Sequence, residues 1–143
     1  MTAPTLNARV IALAHHAART LAEGALTRHG VTFHQSVTLR TVAAAGGTLA
    51  HRDLVAKVTD ALKTTEPLID AVIAELTAAK LLHRRASALN LTDAGRDLYE
   101  TTAAETASIA ARLYADIPAE DLAVAGRVLT LITARANAEL ADA

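Results

Sequence analysis

The chain of 143 residues contains no cysteine and no tryptophan, and it has only one Phe, two Tyr, three Pro and six Gly. The absence of cysteine excludes disulfides, thiolate metal ligands and a cysteine nucleophile. It also suits a reducing compartment, so a cytoplasmic location is expected. Because aromatic side chains are scarce, the core must be aliphatic and its helices closely spaced. Abundant alanine and few helix-breaking residues predict a mainly helical protein, long enough to bury a core.

Targeting segments and catalytic motifs are also missing from the sequence. The N-terminus lacks a basic segment followed by an apolar core, and no apolar run approaches the roughly 20 residues of a membrane span. Neither secretion nor a membrane partner is therefore expected. No glycine-rich phosphate loop, nucleophile elbow or pair of catalytic carboxylates is visible, so the sequence predicts no cofactor and no enzymatic activity.

The formal net charge is −1, but the charge is unevenly distributed along the chain. Residues 1–47 carry four Arg and one Glu, a local charge of +3, and residues 48–96 carry seven Lys or Arg against six acids, a charge of +1. Residues 97–143 carry three Arg against eight acids, a charge of −5. The acidic excess therefore lies in the C-terminal third, and the middle of the chain is only weakly basic.

Apolar periodicity and end signals predict six helices. They span residues 5–29, 33–45, 50–58, 64–82, 92–114 and 120 to nearly the end. Thr48 and Leu49 are expected to form a brief extended segment, and residues 83–91 a hairpin. Thr64 or Thr65 is the expected N-cap of the fourth helix, and Thr92 that of the fifth.

The fourth helix is predicted to be amphipathic. Its buried face is expected to contain Leu68, Ile69, Val72, Ile73 and Leu76. Its outer face is expected to present Glu66, Pro67, Asp70, Ala71 and Ala74.

The order of elements from residue 49 to residue 95 is that of a winged helix-turn-helix. Such a module places its second helix in the major groove and its hairpin wing on the backbone or in the minor groove. The predicted fold is mainly α with a small β-wing, in a single domain over 1–143. Residues 1–47 form N-terminal helices, 48–96 the winged helix-turn-helix, and 97–143 the C-terminal helices.

The first and last helices carry apolar stripes that a small central module does not obviously cover. The residues are Val10, Leu13, Ala17 and Leu21 in the first helix, and Leu122, Ala125, Leu129, Ile132 and Ala136 in the last. Burial against a second copy predicts a homodimer with the twofold symmetry that paired half-sites require. The alternative is a monomeric bundle in which the stripes face each other.

Two segments at the base of the wing resemble motifs of the MarR family of bacterial transcriptional regulators. They are Leu-Thr-Ala-Ala-Lys-Leu-Leu-His-Arg at 76–84 and Leu-Thr-Asp-Ala-Gly-Arg at 91–96. PadR-like regulators share the second motif, but their winged helix begins near the N-terminus. The MarR resemblance covers essentially the whole chain. It implies a homodimer that binds palindromic double-stranded DNA, usually as a repressor, and that responds to a small aromatic or phenolic ligand.

The sequence departs from the family pattern in three places. Only six residues separate Arg84 from Leu91, and the aspartate-x-arginine of the family's wing tip is absent. Lys80 stands where the family usually has glycine, so the turn after the fourth helix is expected to differ. The outer face of that helix is acidic, and carboxylates can accept from cytosine but repel phosphates.

The candidate DNA-binding residues lie on or beside the helix-turn-helix and the wing. They are Arg52, Lys57, Lys63, Thr64, Thr65, Asp70, Arg84 and Arg85. The lysines and Arg52 are also compatible with ordinary solvated surface, and the threonines with helix caps. The adjacent arginines of the wing are the stronger candidates, because two neighbouring arginines there have few structural roles.

The six histidines do not form a metal motif, because none combines i, i+4 spacing with a third ligand. The family resemblance implies a ligand cavity walled by the first two helices. His15, His16 and His34 are the candidates to hydrogen-bond a phenol or carboxylate there. Their alternative role is ordinary surface or core histidine.

The leading hypothesis is a homodimeric, ligand-responsive DNA-binding regulator. The acidic fourth helix and short wing motivate an alternative, a dimer of the same fold that has lost operator binding and acts as a small-molecule-binding protein or recruited enzyme. A third hypothesis is a winged-helix protein-interaction module without a ligand.

Overall fold

The computed structural model describes residues 2–143. This part of the chain forms six helices and three short strands, in an order that confirms the predicted winged helix-turn-helix. The elements are α1 (Ala8–Thr27), α2 (Phe33–Ala44), β1 (Thr48–Ala50), α3 (His51–Leu62), α4 (Glu66–Ala78), β2 (Leu82–Arg85), β3 (Ala88–Leu91), α5 (Asp93–Tyr114) and α6 (Ala119–Asp142).

The chain divides into two compact units, one ending at Ile109 and one beginning at Ala110. The core of the first unit is aliphatic, as the scarcity of aromatic residues predicts, and it is formed by α2, α3, α4 and the sheet. Its buried members are Val37, Leu39, Val42, Leu54, Val55, Val58, Ile69, Val72, Ile73, Leu76, Leu82 and Leu89.

The three strands form an antiparallel sheet in the order β1-β3-β2. Thr48 and Leu49 lie in β1, which confirms the predicted extended segment. In the β2–β3 hairpin Arg85 pairs with Ala88, so only two residues form the turn, and Ala86 has a φ of 54°. The predicted hairpin is confirmed, and its tight turn keeps the wing short.

α1 to α4 each end where the chain enters the left-handed region of φ. The residues are Gly30, Gly46, Lys63 and Lys80, with φ values of 71°, 90°, 53° and 61°. At the end of α4 the N–H of Leu81 donates to the carbonyl of Leu76 at 2.9 Å, and the N–H of Lys80 donates to that of Thr77 at 3.0 Å. This is a Schellman motif, which normally carries glycine at the left-handed position. The expectation that Lys80 alters this turn is therefore wrong, because the lysine adopts the glycine conformation.

Side-chain caps explain where three helices begin. Asn7 accepts from the N–H of Val10 at 2.9 Å, so α1 starts at Ala8 rather than at the predicted residue 5. Thr32 and Gln35 form a reciprocal capping box at α2. Thr92 accepts from the N–H of Gly95 at 3.0 Å, as expected for the N-cap of α5.

The predicted bounds of α3 and α4 need correction. α3 continues to Leu62, four residues beyond the prediction, and ends at the left-handed Lys63. α4 is shorter than predicted at both ends, because its first turn begins after Thr65 and the Schellman motif stops it at Ala78. Thr65 occupies the N-cap position, but its side chain makes no capping hydrogen bond.

The second unit contains the end of α5 and the whole of α6. None of the residues of α6 is buried in the single chain. Large apolar side chains are exposed throughout this unit: Leu113, Tyr114, Ile117, Leu122, Val124, Leu129, Leu131, Ile132 and Leu140. In residues 2–143, no helix combines the length and apolar character needed to cross a membrane.

Candidate nucleic-acid interface

α4 has one buried and one solvent-facing side. Ile69, Val72, Ile73 and Leu76 lie in the core, as predicted. The five residues predicted for the outer face are all exposed: Glu66, Pro67, Asp70, Ala71 and Ala74. The prediction for Leu68 is wrong, since it is 39% exposed. At 100° per residue it lies about 90° from the centre of the buried stripe, on the flank of the helix.

Three side chains from three elements contact one another beside this outer face. A guanidinium nitrogen of Arg84, Nη2, lies 2.8 Å from Nδ1 of His51. Nε2 of the same imidazole lies 2.9 Å from Oδ1 of Asp70. The wing, the start of α3 and the outer face of α4 are thereby joined through one histidine.

A shallow concavity of about 450 Å³ lies between the start of α3 and the hairpin. It is lined by Ala50, His51, Arg52, Asp53, Arg84 and Ser87. The structure thus brings together two predicted phosphate-binding residues, Arg52 and Arg84, which are 32 positions apart in the chain. Both are exposed.

The other residues predicted to contact DNA do not line the concavity that Arg52 and Arg84 share. Lys57 lies with Arg40 at a second concavity, of about 330 Å³, between α2 and α3. Lys63 lies in the turn between α3 and α4, where its ammonium donates to Asp60 at 3.1 Å. Thr64 and Thr65 follow in the same turn, and Thr65 is exposed.

Arg84 and Arg85 are adjacent but lie on opposite faces of the sheet. Arg84 pairs with Leu89 across the hairpin, and directly paired residues share a face. Because Leu89 is fully buried, Arg84 lies on the face that covers the core and can reach α3. Arg85 lies on the other face and is exposed.

Sequence reasoning missed His51 and Arg40 as residues near the candidate interface. His51 stands 19 residues before Asp70 and 33 before Arg84, so no local spacing connects them. Arg40 lies on α2, outside the helix-turn-helix, and reaches Lys57 only because α2 packs against α3.

The predicted ligand-binding histidines occupy two different environments. His15 and His16 are exposed neighbours on α1, with ring centroids 5.5 Å apart. His34 is half-buried and lines a concavity of about 290 Å³ with Phe33 and Arg19. Within residues 2–143, no cluster of three or more His, Asp or Glu side chains is arranged to hold a metal ion.

Arg19 and Glu23 bring one positive and one negative charge to the concavity beside His34. The guanidinium carbon of Arg19 lies 4.0 Å above the centre of the Phe33 ring, in a cation–π arrangement. The Nε of Arg19 donates to Glu23 at 2.7 Å. The concavity therefore combines an aromatic wall, an imidazole and an ion pair between Arg19 and Glu23.

A separate ion pair ties the end of α1 to α5. Nε2 of His29 lies 2.9 Å from one oxygen of Glu105, and Arg28 lies 3.4 Å from the other. The hydrogen bond with His29, together with the charge of Arg28, lowers the pKa of the Glu105 carboxyl from its ordinary value of 4.5.

No family model and no curated protein matches the sequence. Solved structures do match. Ligand-free NadR is 23% identical and superposes with a TM-score of 0.74, over 90% of this chain and 95% of NadR. NadR in complex with 4-hydroxyphenylacetate is 22% identical and superposes with a TM-score of 0.75, again over 90% of this chain and 95% of NadR.

Two further structures extend the comparison. The Mycobacterium tuberculosis MarR family protein Rv2887 in complex with DNA is 22% identical, with a TM-score of 0.68 over 90% of this chain and 98% of that protein. MarR from E. coli in its reduced form is 14% identical, with a TM-score of 0.70 over 91% and 95% of the two chains. At these identities it is the fold that is shared. The chain has the winged-helix fold of the MarR-family transcriptional regulators.

Proposed function

We propose that this protein is a homodimeric transcriptional regulator of the MarR type, without catalytic activity, that binds palindromic DNA in the bacterial cytoplasm. The observation that carries the proposal is the exposed outer face of α4 beside the arginine-lined concavity at the wing. A solved structure of the same fold, that of Rv2887, contains DNA. Repression is the expected mode of regulation.

In this proposal α4 enters the major groove. Its outer face offers small residues that permit close approach, Ala71 and Ala74, and two carboxylates, Glu66 and Asp70. A carboxylate accepts a hydrogen bond from the amino group of cytosine, so base contacts here favour G·C pairs. Thr64 and Thr65, at the start of the helix, are candidate phosphate or base contacts.

In this proposal the basic residues around α4 bind the DNA phosphates. Arg52 and Arg84 share one concavity, and Arg85 projects from the other face of the wing. Lys57, within α3, and Lys63, directly after its last residue, are further candidate contacts. Each phosphate contact releases counterions, so the affinity for DNA must fall as salt rises.

The second copy is the proposed occupant of the exposed apolar surface in residues 110–143. A 24-residue helix without one buried residue gains little from packing in a single chain, and helices depend on such packing for stability. Nine large apolar side chains are exposed in this unit, and large exposed apolar patches mark sites of association. A twofold dimer would bury the apolar stripe of α6 and bring together two winged helix-turn-helix modules, one from each copy.

The ligand is proposed to be a small aromatic acid or phenol. Proteins of the same fold bind 4-hydroxyphenylacetate and salicylate. In this chain the concavity beside His34 offers an aromatic ring, an imidazole and a guanidinium paired with Glu23, so an aromatic carboxylate would compete with Glu23 for Arg19. Its volume of about 290 Å³ fits a molecule of that size. His15 and His16 are further candidates.

Selection of bound sequences from random duplex DNA tests the regulator proposal. The wild type should enrich a palindrome, and the double variant with Arg84→Ala and Arg85→Ala should enrich little. The spacing of the half-sites should be near one helical turn, roughly 10 base pairs, for a twofold dimer. If the wild type enriches nothing above background, the regulator proposal is wrong.

The acidic outer face of α4 favours one alternative, a dimer of this fold that binds a small molecule but no operator. Glu66 and Asp70 both repel nearby phosphates. Calorimetric titration with salicylate and 4-hydroxyphenylacetate, alongside DNA binding at two salt concentrations, separates the two functions. Ligand binding with weak, nearly salt-independent DNA binding supports the alternative.

A further inference from the structure

His51 holds the wing through two separate contacts. Its backbone N–H donates to the carbonyl of Ser87 in the hairpin turn at 2.8 Å. Its side chain lies 2.8 Å from Arg84 and 2.9 Å from Asp70. A single residue at the start of α3 therefore connects the tip and the arm of the hairpin to α4.

The chemistry of the partners determines the tautomer of His51. A guanidinium has only donors, so Nδ1 of His51 must accept from Arg84 and carries no proton. An ionised carboxylate only accepts, so Nε2 must carry the proton and donate to Asp70. The arrangement fits a neutral imidazole, protonated on Nε2.

We propose that His51 and Asp70 are positioning residues that orient Arg84 towards a DNA phosphate, an inference that rests on the proposed DNA-binding function. Asp70 fixes the imidazole, and the imidazole fixes the guanidinium. Arg84 uses one of its donors in this contact and is otherwise exposed at the concavity that it shares with Arg52. Holding a long side chain in place before binding reduces the conformational entropy lost on association.

The interposed histidine also explains why an acidic residue is compatible with the interface. A direct pair between Asp70 and Arg84 would cancel the charge that attracts a phosphate. The neutral imidazole separates the two charges, and one carboxylate oxygen is hydrogen-bonded to it. The sequence predicts Asp70 as a contact to a base. In this arrangement Asp70 also orients the His51 imidazole, and that role does not require it to touch DNA.

NMR of the free protein tests the arrangement without DNA. Long-range ¹H–¹⁵N correlation spectra at neutral pH should show His51 as the Nε2–H tautomer, and Asp70→Ala should shift it towards a mixture. His83, exposed on β2, is the internal reference. A mixture or the Nδ1–H tautomer in the wild type would overturn the inference.

A double-mutant cycle tests the consequence for binding, with the sequence selected from random DNA as the probe. Arg84→Ala should lower the affinity for this DNA about tenfold. It should also reduce, by about 1, the steepness with which the logarithm of the affinity falls against the logarithm of the salt concentration. His51→Ala should lower the affinity about fivefold in the wild type but leave it unchanged in the Arg84→Ala background, because coupled residues are not additive.

His51→Gln is the conservative variant, since its amide both accepts and donates, and it should restore most of the affinity. His83→Ala is the matched control and should bind as the wild type does. Circular dichroism checks that each variant is folded. Equal losses for His51→Ala in both backgrounds would overturn the inference while leaving DNA binding intact. Absence of DNA binding by the wild type would instead remove the proposed function and this inference with it.

Discussion

Gly95 lies so close to the backbone carbonyl of Leu81 that no side chain fits between them. A Cβ atom at position 95 would overlap with the carbonyl oxygen of Leu81 and would lie 3.0 Å from Cδ1 of Leu91. Thr92 joins the same two segments, since its hydroxyl donates to the carbonyl of Lys80 at 2.7 Å. The Leu-Thr-x-x-Gly motif therefore fastens the first turn of α5 to the end of α4 and the base of the wing.

Gly95→Ala should lower the free energy of unfolding by about 2–4 kcal/mol, because the backbone of Leu81 must move to admit the methyl group. Urea denaturation followed by circular dichroism measures the change. Gly24→Ala is the matched control, since Gly24 lies within α1 and a Cβ atom there would meet nothing within 4 Å beyond the backbone of its own helix. It should stabilise the protein by about 0.5–1 kcal/mol. An unchanged stability of Gly95→Ala would contradict the close contact.

Lys80→Gly should raise the free energy of unfolding by about 1 kcal/mol. Lys80 has a φ of 61° at the left-handed position of the Schellman motif, where a side chain is unfavourable and glycine is not. Lys80→Ala keeps a Cβ in the same conformation and should leave the stability nearly unchanged. Urea denaturation of the three proteins distinguishes relief of backbone strain from loss of the lysine charge, because only the first makes glycine better than alanine.

Glu105 should contribute stability at neutral pH that is lost in acid. Its hydrogen bond with His29 lowers the pKa of its carboxyl below 4.5 in the folded state, so the folded state holds the proton less tightly than the unfolded chain does. The contribution is complete above the ordinary pKa and disappears as the pH falls through the lowered one.

Glu105→Gln should remove this dependence. The difference in urea midpoint between wild type and variant should be largest near pH 7 and should shrink below about pH 4. Glu100→Gln, at an exposed position of the same helix, is the control and should show no such trend. A difference for Glu105→Gln that stays constant with pH would show that its effect is not electrostatic.

Leu129→Glu should convert the proposed dimer into monomers at micromolar concentration. Leu129 is 39% exposed in the single chain and lies at the centre of the apolar stripe of α6, so a buried carboxylate there would oppose association. Ala134→Glu, on the opposite side of the helix, is the control. Sedimentation velocity measures the masses. A wild type that sediments as a monomer would remove the proposed dimer.

Most of the fold could be predicted from local patterns. The inner and outer faces of α4 follow from the helical period, with Leu68 the one misplaced residue. The predicted ends of α3 and α4 were less accurate. Both helices end at a lysine with left-handed backbone, Lys63 and Lys80, and the sequence lacks the glycine that normally signals such a turn. The capping role of Thr92 was predictable, since a threonine before a helical pattern has a local reason to be there.

The candidate site was predictable only in part. Arg84 and Arg85 are conspicuous as neighbours in the sequence, yet the hairpin register places them on opposite faces. Arg52 and Arg84 share a concavity only because the hairpin folds back onto the start of α3.

The sequence by itself determined the helices, the wing and the chemical character of the outer face of α4, because these depend on propensity and periodicity within short segments. Only the tertiary structure decided that Gly95 meets Leu81 and that His51 lies between Arg84 and Asp70. The partners in these contacts are 14, 33 and 19 residues apart. Their meeting depends on how α3, α4, α5 and the sheet pack together, which no short segment specifies.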